Sequence, residues 1–414
     1  MATRPLKVCF VTGEYPPDEG GVADYTACLS AALAAQGVVV DVATSVRRTG
    51  EAGRRSDGGA PEGRHPTVHR AVDGWGWGAP RAVGKLVARL TPDVVHVQYQ
   101  AAAFGMRPAI HALPWWLRAT GAKAATAVTF HDLRVPYLFP KAGPARRAAL
   151  RLLARGSRMV VATNAEDYAE LGVEGQHGRL DLIPIGSNIP DAPPEGYDRA
   201  AWRAAAGIPA GAVVVAYFGF LNASKGGLTL LDALARLRAA GRDARLVMIG
   251  GAVGASDPTN AGYLAAFRAE AAAHGLDAAV AWTGHVAPGA VSGWLHAADV
   301  AALPYGDGAS YRRGSLLAAL AHGCAVVTTL PAPLTGGLLP ALVDGEAALL
   351  VPPGDGNALA EAVGAVVTDA GLAARLSAGA RALAGHFRWA AIAARHLTLY
   401  RSVLAETGGD DPEG

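Results

Sequence analysis

Short, almost wholly apolar runs alternate with helical patterns along this chain, and the alternation stops once and then starts again. In the first half the runs fall at 8–12, 38–44, 94–97, 125–129, 159–163 and 180–185, with helical patterns such as 23–36 and 145–154 between them. In the second half they fall at 213–220, 245–249, 280–283, 300–303, 325–328 and 347–351, with helical patterns at 227–240, 263–274 and 316–322. A strand covered on both faces has no polar side, so near-continuous apolar strands spaced by helices predict parallel sheets with helices on each face. The stretch Pro190-Asp-Ala-Pro-Pro-Glu-Gly196 divides the two series and reads as a linker. A chain of 414 residues exceeds one ordinary core and fits two domains of about 200 residues each. The expected class is α/β: two Rossmann-like, doubly wound parallel-sheet domains, 1–190 and 197–386, facing a cleft, with ligands at the carboxyl ends of the strands. Residues 47–66 lack periodicity and read as a surface loop, and the tail after Thr407 reads as disordered.

Charge narrows the function. Thirty-seven basic residues against 35 acidic give a net charge of +2, which excludes a general nucleic-acid binder, since that needs a strong basic excess. Cys9, Cys28 and Cys324 stand singly in apolar runs, with neither metal-ligand spacing nor a disulfide framework, which suits a reducing compartment. No signal-peptide pattern opens the chain, and no apolar run approaches the ~20 residues that span a bilayer. The expectation is a cytoplasmic protein, and no metal site is expected.

Two places invite an anion. The first apolar run leads through Glu14-Tyr-Pro-Pro-Asp-Glu-Gly-Gly21 into a helical pattern. Gly20 and Gly21 lack Cβ atoms, so the backbone can approach a ligand, and the helix behind them offers amides to a phosphate; a tight turn alone also explains both glycines. Arg312 and Arg313 precede a helix that starts near Gly314 and Ser315, where two guanidinium groups and a helix N-terminus would make a second anion site; two surface charges are the other reading. A third basic feature, 141–158, reads as an amphipathic helix, either a solvated face or a contact with an anionic inner-membrane surface. No Gly-x-Gly-x-x-Gly follows the first strand, which argues against a nicotinamide dehydrogenase.

Further segments fall in a definite order: Pro92-Asp-Val-Val-His-Val-Gln98, Thr129-Phe-His-Asp132, Leu182-Ile-Pro-Ile-Gly186, Tyr217-Phe-Gly-Phe-Leu-Asn-Ala-Ser-Lys-Gly226, and Leu342-Val-Asp-Gly-Glu-Ala-Ala-Leu-Leu-Val-Pro-Pro-Gly-Asp355. With the diglycine loop and a closing helical pattern from Phe387 to Tyr400, this order resembles the retaining family 4 glycosyltransferases of the GT-B fold. The resemblance implies a hexosyltransferase that is metal-independent and has no resident cofactor, with a nucleotide-diphosphate sugar as co-substrate. It implies an acceptor that is a polysaccharide, a lipid carrier or a small molecule, and a last helix, 387–405, that crosses back to the first domain. By the same resemblance Lys225 is the cation on the leaving diphosphate and His131 contacts the transferred sugar, with Asp132 orienting that imidazole or capping the next turn. The donor-binding set is then Gly20, Gly21, Ser224, Arg312, Arg313, Gly314, Ser315 and Leu316.

The chain departs from the family at two points. Phe220 stands where the diphosphate loop usually carries an arginine, and Ser310 and Ala318 stand where the family usually has its Glu-x7-Glu pair. One of the Arg312–Arg313 pair is expected to bind the phosphate in place of that arginine, and Asp307 is a candidate carboxylate for a hydroxyl. Without the two glutamates, a GT-B protein that binds nucleotide or glycan without transfer stays open as a second reading. A nucleotide-sugar epimerase shares the fold and is the third.

Overall fold

The computed structural model describes residues 4–18, 20–46, 65–133, 143–174, 178–251, 259–331 and 338–408. The chain divides into two compact units, Met1–Gly186 with Trp389–Gly414, and Ser187–Arg388. Most of the aperiodic stretch 47–66, the first two residues of the basic stretch 141–158, and the tail beyond 408 lie outside the described residues.

The first unit holds seven strands: β1 (Lys7–Thr12), β2 (Val39–Ser45), β3 (Thr67–Val72), β4 (Val94–Tyr99), β5 (Ala125–Phe130), β6 (Met159–Ala162) and β7 (Arg179–Leu182). They form one sheet in the order β3-β2-β1-β4-β5-β6-β7, every pairing parallel. In the centre, β4 and β5 are buried along their whole length and β1 along all but its first residue, which is why they read as unbroken apolar runs. Strand β3 carries no such signal. Thr-Val-His-Arg-Ala-Val lies at the sheet edge and is held by backbone pairing to β2 and by polar contacts: His69 Nε2 to Asp41 Oδ1 (2.7 Å) and Arg70 Nη2 donating to Pro16 O (2.9 Å). Ile392, Leu397, Tyr400 and Val403 of the closing helix, Trp389–Gly408, join this unit's core beside Leu29 and Leu33 of helix Gly21–Ala35.

The second unit holds β8 (Val213–Phe218), β9 (Ala244–Ile249), β10 (Val280–Gly284), β11 (Val300–Leu303), β12 (Val326–Thr329) and β13 (Leu349–Val351), in the order β10-β9-β8-β11-β12-β13 and again all parallel. The Pro-rich stretch read as a linker is bonded to this unit. Ile189 enters its core, and the Ala192 amide donates to Ser292 Oγ at 3.1 Å. In both sheets the strand order reverses once, between β1 and β4 and between β8 and β11. Loops leaving the carboxyl ends of strands diverge at such a reversal and leave a crevice for a ligand. Gly20, Lys225 and the Arg312–Arg313 pair follow β1, β8 and β11, strands at these reversals, whereas His131 follows β5.

Candidate active site

In the second unit, β8 runs out at Gly219, and a single 3-10 turn, Ala223–Lys225, precedes helix Gly227–Ala239. The neighbouring strand β11 leads through Tyr305 and Asp307 to Arg312 and Arg313, which precede helix Gly314–Ala321. Gly226 brings the two loops together. Its φ is 70°, and a Cβ there would lie 1.8 Å from Pro304 O, so only glycine fits. Next to this contact the Gly306 amide donates to Ser224 O at 2.8 Å.

That contact gathers positive charge. A Cβ built on Gly219 would lie 2.9 Å from Lys225 Nζ, so the ammonium is tucked against the end of β8. Burial, and then the charge of Arg313, lower its pKa from 10.5 to about 8. Among the described residues no carboxylate lies within ion-pairing distance of it. Arg313 Nη2 donates to Asp307 Oδ1 (2.5 Å) and, at 3.5 Å, to Ser224 Oγ; its guanidinium carbon sits 5.1 Å from the centre of the Tyr305 ring. Its Nε is buried with no hydrogen-bond partner among the described residues. Arg312 Nη2 reaches the other oxygen of the same carboxylate at 2.9 Å. Two arginines therefore share one aspartate, and among the described residues a half-buried lysine has none.

Ser224, Lys225, Arg312, Arg313 and Ser315 thus belong to one cluster. Ser315 Oγ is committed to Tyr305 OH at 2.7 Å. Leu316 is different: its side chain is fully buried in the core, so it offers a ligand only backbone, and its amide already donates to Arg313 O at 3.0 Å. The Phe220 side chain is exposed while its carbonyl accepts from Tyr217 OH at 3.1 Å. Ala318 lies in the core beside Val214 and Ala216, and Ser310 Oγ faces the Arg312 amide at 3.5 Å. Tyr305 and Asn222, whose Oδ1 accepts from Ser224 Oγ at 2.9 Å, complete the cluster without any signal in the sequence.

In the first unit, the helix behind the diglycine already has an anion. Glu14 Oε1 accepts from the Ala23 amide at 3.3 Å, and the Val22 amide faces the same carboxylate. Burial raises the pKa of Glu14 in spite of those two donors. A Cβ on Gly20 would meet Glu14 Oε1 at 2.1 Å, so Gly20 is glycine because a carboxylate of the same loop approaches it. The space in front of a Gly21 Cβ is open. The sequence expectation of free amides behind both glycines is therefore corrected: the first-turn amides at 22 and 23 already face Glu14.

His131 follows β5, and its Nε2–H donates to Gln98 Oε1 at 2.9 Å. Its ring meets Tyr25, on the helix behind the diglycine, edge-on at 4.5 Å. Burial lowers its pKa to about 3, so at neutral pH it is an uncharged imidazole with Nδ1 as its acceptor. Behind it, His96 Nδ1 pairs with Tyr400 OH (2.6 Å), His96 Nε2 with Thr129 Oγ1 (2.8 Å), and His396 Nε2 with Tyr25 OH (3.2 Å). These bonds tie the closing helix to β4, β5 and the ring that His131 touches. Asp132 is exposed.

Known proteins share this architecture. Residues 20–186 match the family model of the glycosyl transferase 4-like domain, and residues 212–369 match that of glycosyl transferases group 1. The D-inositol 3-phosphate glycosyltransferase of Xylanimonas cellulosilytica is 32% identical over 259 residues, 60% of this chain and 58% of that protein. The protein of the same name from Arthrobacter sp. is 28% identical over 416 residues, 94% of this chain and 91% of the relative. Among solved structures, sucrose-phosphate synthase from Thermosynechococcus elongatus superposes with a TM-score of 0.71 at 23% identity, covering 97% of this chain and 100% of the other. Anabaena HepE in complex with UDP and glucose gives 0.67 at 20% identity, covering 98% and 99%.

Proposed function

We propose that this chain, which belongs to the family 4 glycosyltransferases and has the GT-B fold, moves a sugar from a nucleotide-diphosphate donor to an acceptor hydroxyl with retention at the anomeric carbon. The observation that carries this reading is the half-buried ammonium of Lys225, with no carboxylate partner among the described residues, beside Arg313 and the start of a helix. A lone buried cation is unfavourable unless an anion completes it, and a leaving diphosphate is such an anion. As the bond from the sugar carbon to the phosphate oxygen breaks, negative charge builds on the diphosphate, and fixed cations stabilise that charge more than they stabilise the bound donor. The acceptor oxygen then bonds to the anomeric carbon on the face being vacated, and its proton passes to the departing phosphate oxygen. His131, uncharged, accepts a hydrogen bond from a sugar hydroxyl through Nδ1 and orients the ring. No metal enters this scheme.

The names of the relatives choose the first substrates to try: UDP-glucose as donor and D-inositol 3-phosphate as acceptor. The test is release of nucleoside diphosphate from a panel of UDP- and GDP-sugars in the presence of chelator, with and without acceptors, followed by NMR of the product anomer. Diphosphate release with the donor's anomeric configuration kept is the expected result. Binding of a nucleotide without turnover of any donor would leave the non-catalytic reading in its place, and an epimer formed without acceptor would favour the epimerase.

The same proposal places acceptor chemistry near a membrane surface. Arg147, Arg151 and Arg155 recur every four residues along the exposed side of helix Gly143–Gly156, and exposed Leu152 lies beside exposed Trp115, whose Nε1 donates to Leu152 O at 2.9 Å. Cations around an apolar and aromatic tip suit an anionic bilayer. Among the described residues no helix is long and apolar enough to cross one. Co-sedimentation with phosphatidylglycerol vesicles, lost in 0.5 M salt or in the triple Arg→Gln variant, is expected; equal recovery with neutral vesicles would remove the proposal.

A further inference from the structure

We propose that Asp191, His296 and His322 form a binding site for one divalent transition-metal ion, for which Zn²⁺ is the best chemical match. One donor atom from each lies within 4.8 Å of the other two. All three belong to the second unit, at the opposite end of helix Gly314–Ala321 from the arginine pair, since His322 is that helix's C-cap. Nothing in the sugar-transfer scheme uses them.

The donor set and its surroundings fit an ion. His322 Nδ1–H donates to Ala318 O at 2.7 Å, which fixes the tautomer and leaves the Nε2 lone pair facing the cluster. A backbone acceptor behind a ligating imidazole is how proteins orient such ligands. Without an ion, Nε2 accepts from Ser292 Oγ at 2.9 Å, and His296 Nε2–H donates to Asp191 Oδ1 at 2.6 Å. An ion replaces that hydroxyl at Nε2 and takes the place of the proton between Asp191 and His296, which moves through solvent to the other nitrogen of the His296 ring, so that the imidazole binds in its neutral form.

Two imidazoles and a carboxylate, with water as the fourth ligand, make a borderline-soft set that suits Zn²⁺ better than Mg²⁺ or Ca²⁺, which prefer all-oxygen cages. Tetrahedral bonds of this kind put neighbouring donors about 3.4 Å apart. The cluster must therefore tighten. The two side chains that need to move are the accessible ones, His296 at 28% and Asp191 at 45% exposed, while His322 stays fixed. Asp191 is the fifth residue of the second unit, which begins at Ser187, so the ion would pin that incoming segment to helices Pro288–Ala297 and Gly314–Ala321.

The test uses the full, untagged chain, stripped with chelator and desalted. Titration with Co²⁺ alone is expected to give a saturable visible band of tetrahedral intensity at one equivalent, bleached by one equivalent of Zn²⁺. Zn²⁺ is expected to raise the melting temperature and chelator to reverse the rise. Asp191→Asn and His296→Gln, both at accessible positions and outside the transfer site, are expected to lose band and shift alike while folding normally. No saturable Co²⁺ band in the wild type, or the same band in the double variant, would overturn the site. Variants whose melting temperature falls equally with and without Zn²⁺, beside a wild type that Zn²⁺ does not shift, would overturn it too and leave only a hydrogen-bonded network.

Discussion

Replacing Lys225 with methionine is expected to lower kcat/KM for the nucleotide sugar by about 100- to 1,000-fold, the usual effect of removing one group that stabilises transition-state charge, and at the same time to raise the melting temperature. The two effects have one cause. The ammonium sits half-buried beside Arg313, with no carboxylate partner among the described residues, and its pKa falls from 10.5 to about 8. The folded state therefore holds its proton less tightly than the unfolded chain. Between those two values the unfolded state binds more protons, so stability rises with pH across the window. Below pH 8 both states are charged and the full penalty, on the order of 3 kcal/mol, is present; above 10.5 it is gone. Methionine keeps the stem and removes the charge, so at pH 7 the variant recovers part of that penalty. The rate has the opposite dependence. In the wild type kcat/KM is expected to fall as pH rises past 8, when the free enzyme loses this proton, whereas Lys225→Arg, whatever its residual rate, should show no such limb. Full activity in the methionine variant would dissociate Lys225 from the diphosphate, and a lower melting temperature would remove the cost assigned to its buried charge.

What the sequence reveals here depends on how local the cause is. The central strands are legible because burial on both faces leaves them no polar residue to show, as at 94–99 and 125–130. Strand β3 is not legible, because an edge strand is held by backbone pairing and by Arg70 and His69, whose partners lie 25 or more residues away. The segment from Leu342 to Asp355 stands out in sequence for reasons of folding: Asp344 Oδ1 accepts from the Leu350 amide at 2.8 Å, and Asp355 caps helix Gly356–Thr368 through the Ala358 amide at 2.9 Å. The adjacent arginines 312 and 313 are visible as a pair, but their shared aspartate follows only from the loop's path. Gly20 is legible as a close approach, but that the carboxylate of Glu14 lies against it follows only from the loop's path. The His96–Tyr400 bond joins residues 304 apart and has no local signature at all.

The second large effect separates the two arginines. Arg313→Gln is expected to raise donor KM by about 10- to 100-fold, the worth of one charge-assisted hydrogen bond in a partly dry site, and Arg312→Gln to raise it much less. Arg313 is the inner of the two. It borders Ser224 and Tyr305, its Nε is buried without a partner among the described residues, and its charge is already felt at Lys225. Arg312 shares the carboxylate from the other side. Asp307 is then the counter-ion that a diphosphate must compete with, because one guanidinium cannot serve both fully. Asp307→Asn keeps the shape and removes the competing charge, so donor KM is expected to fall, and to fall more in wild-type background than in Arg313→Gln. That non-additivity is the signature of a shared contact. Purely additive effects would place Asp307 and Arg313 in separate roles. A KM raised equally by both arginine substitutions would mean that the donor reads the local charge and not the inner guanidinium.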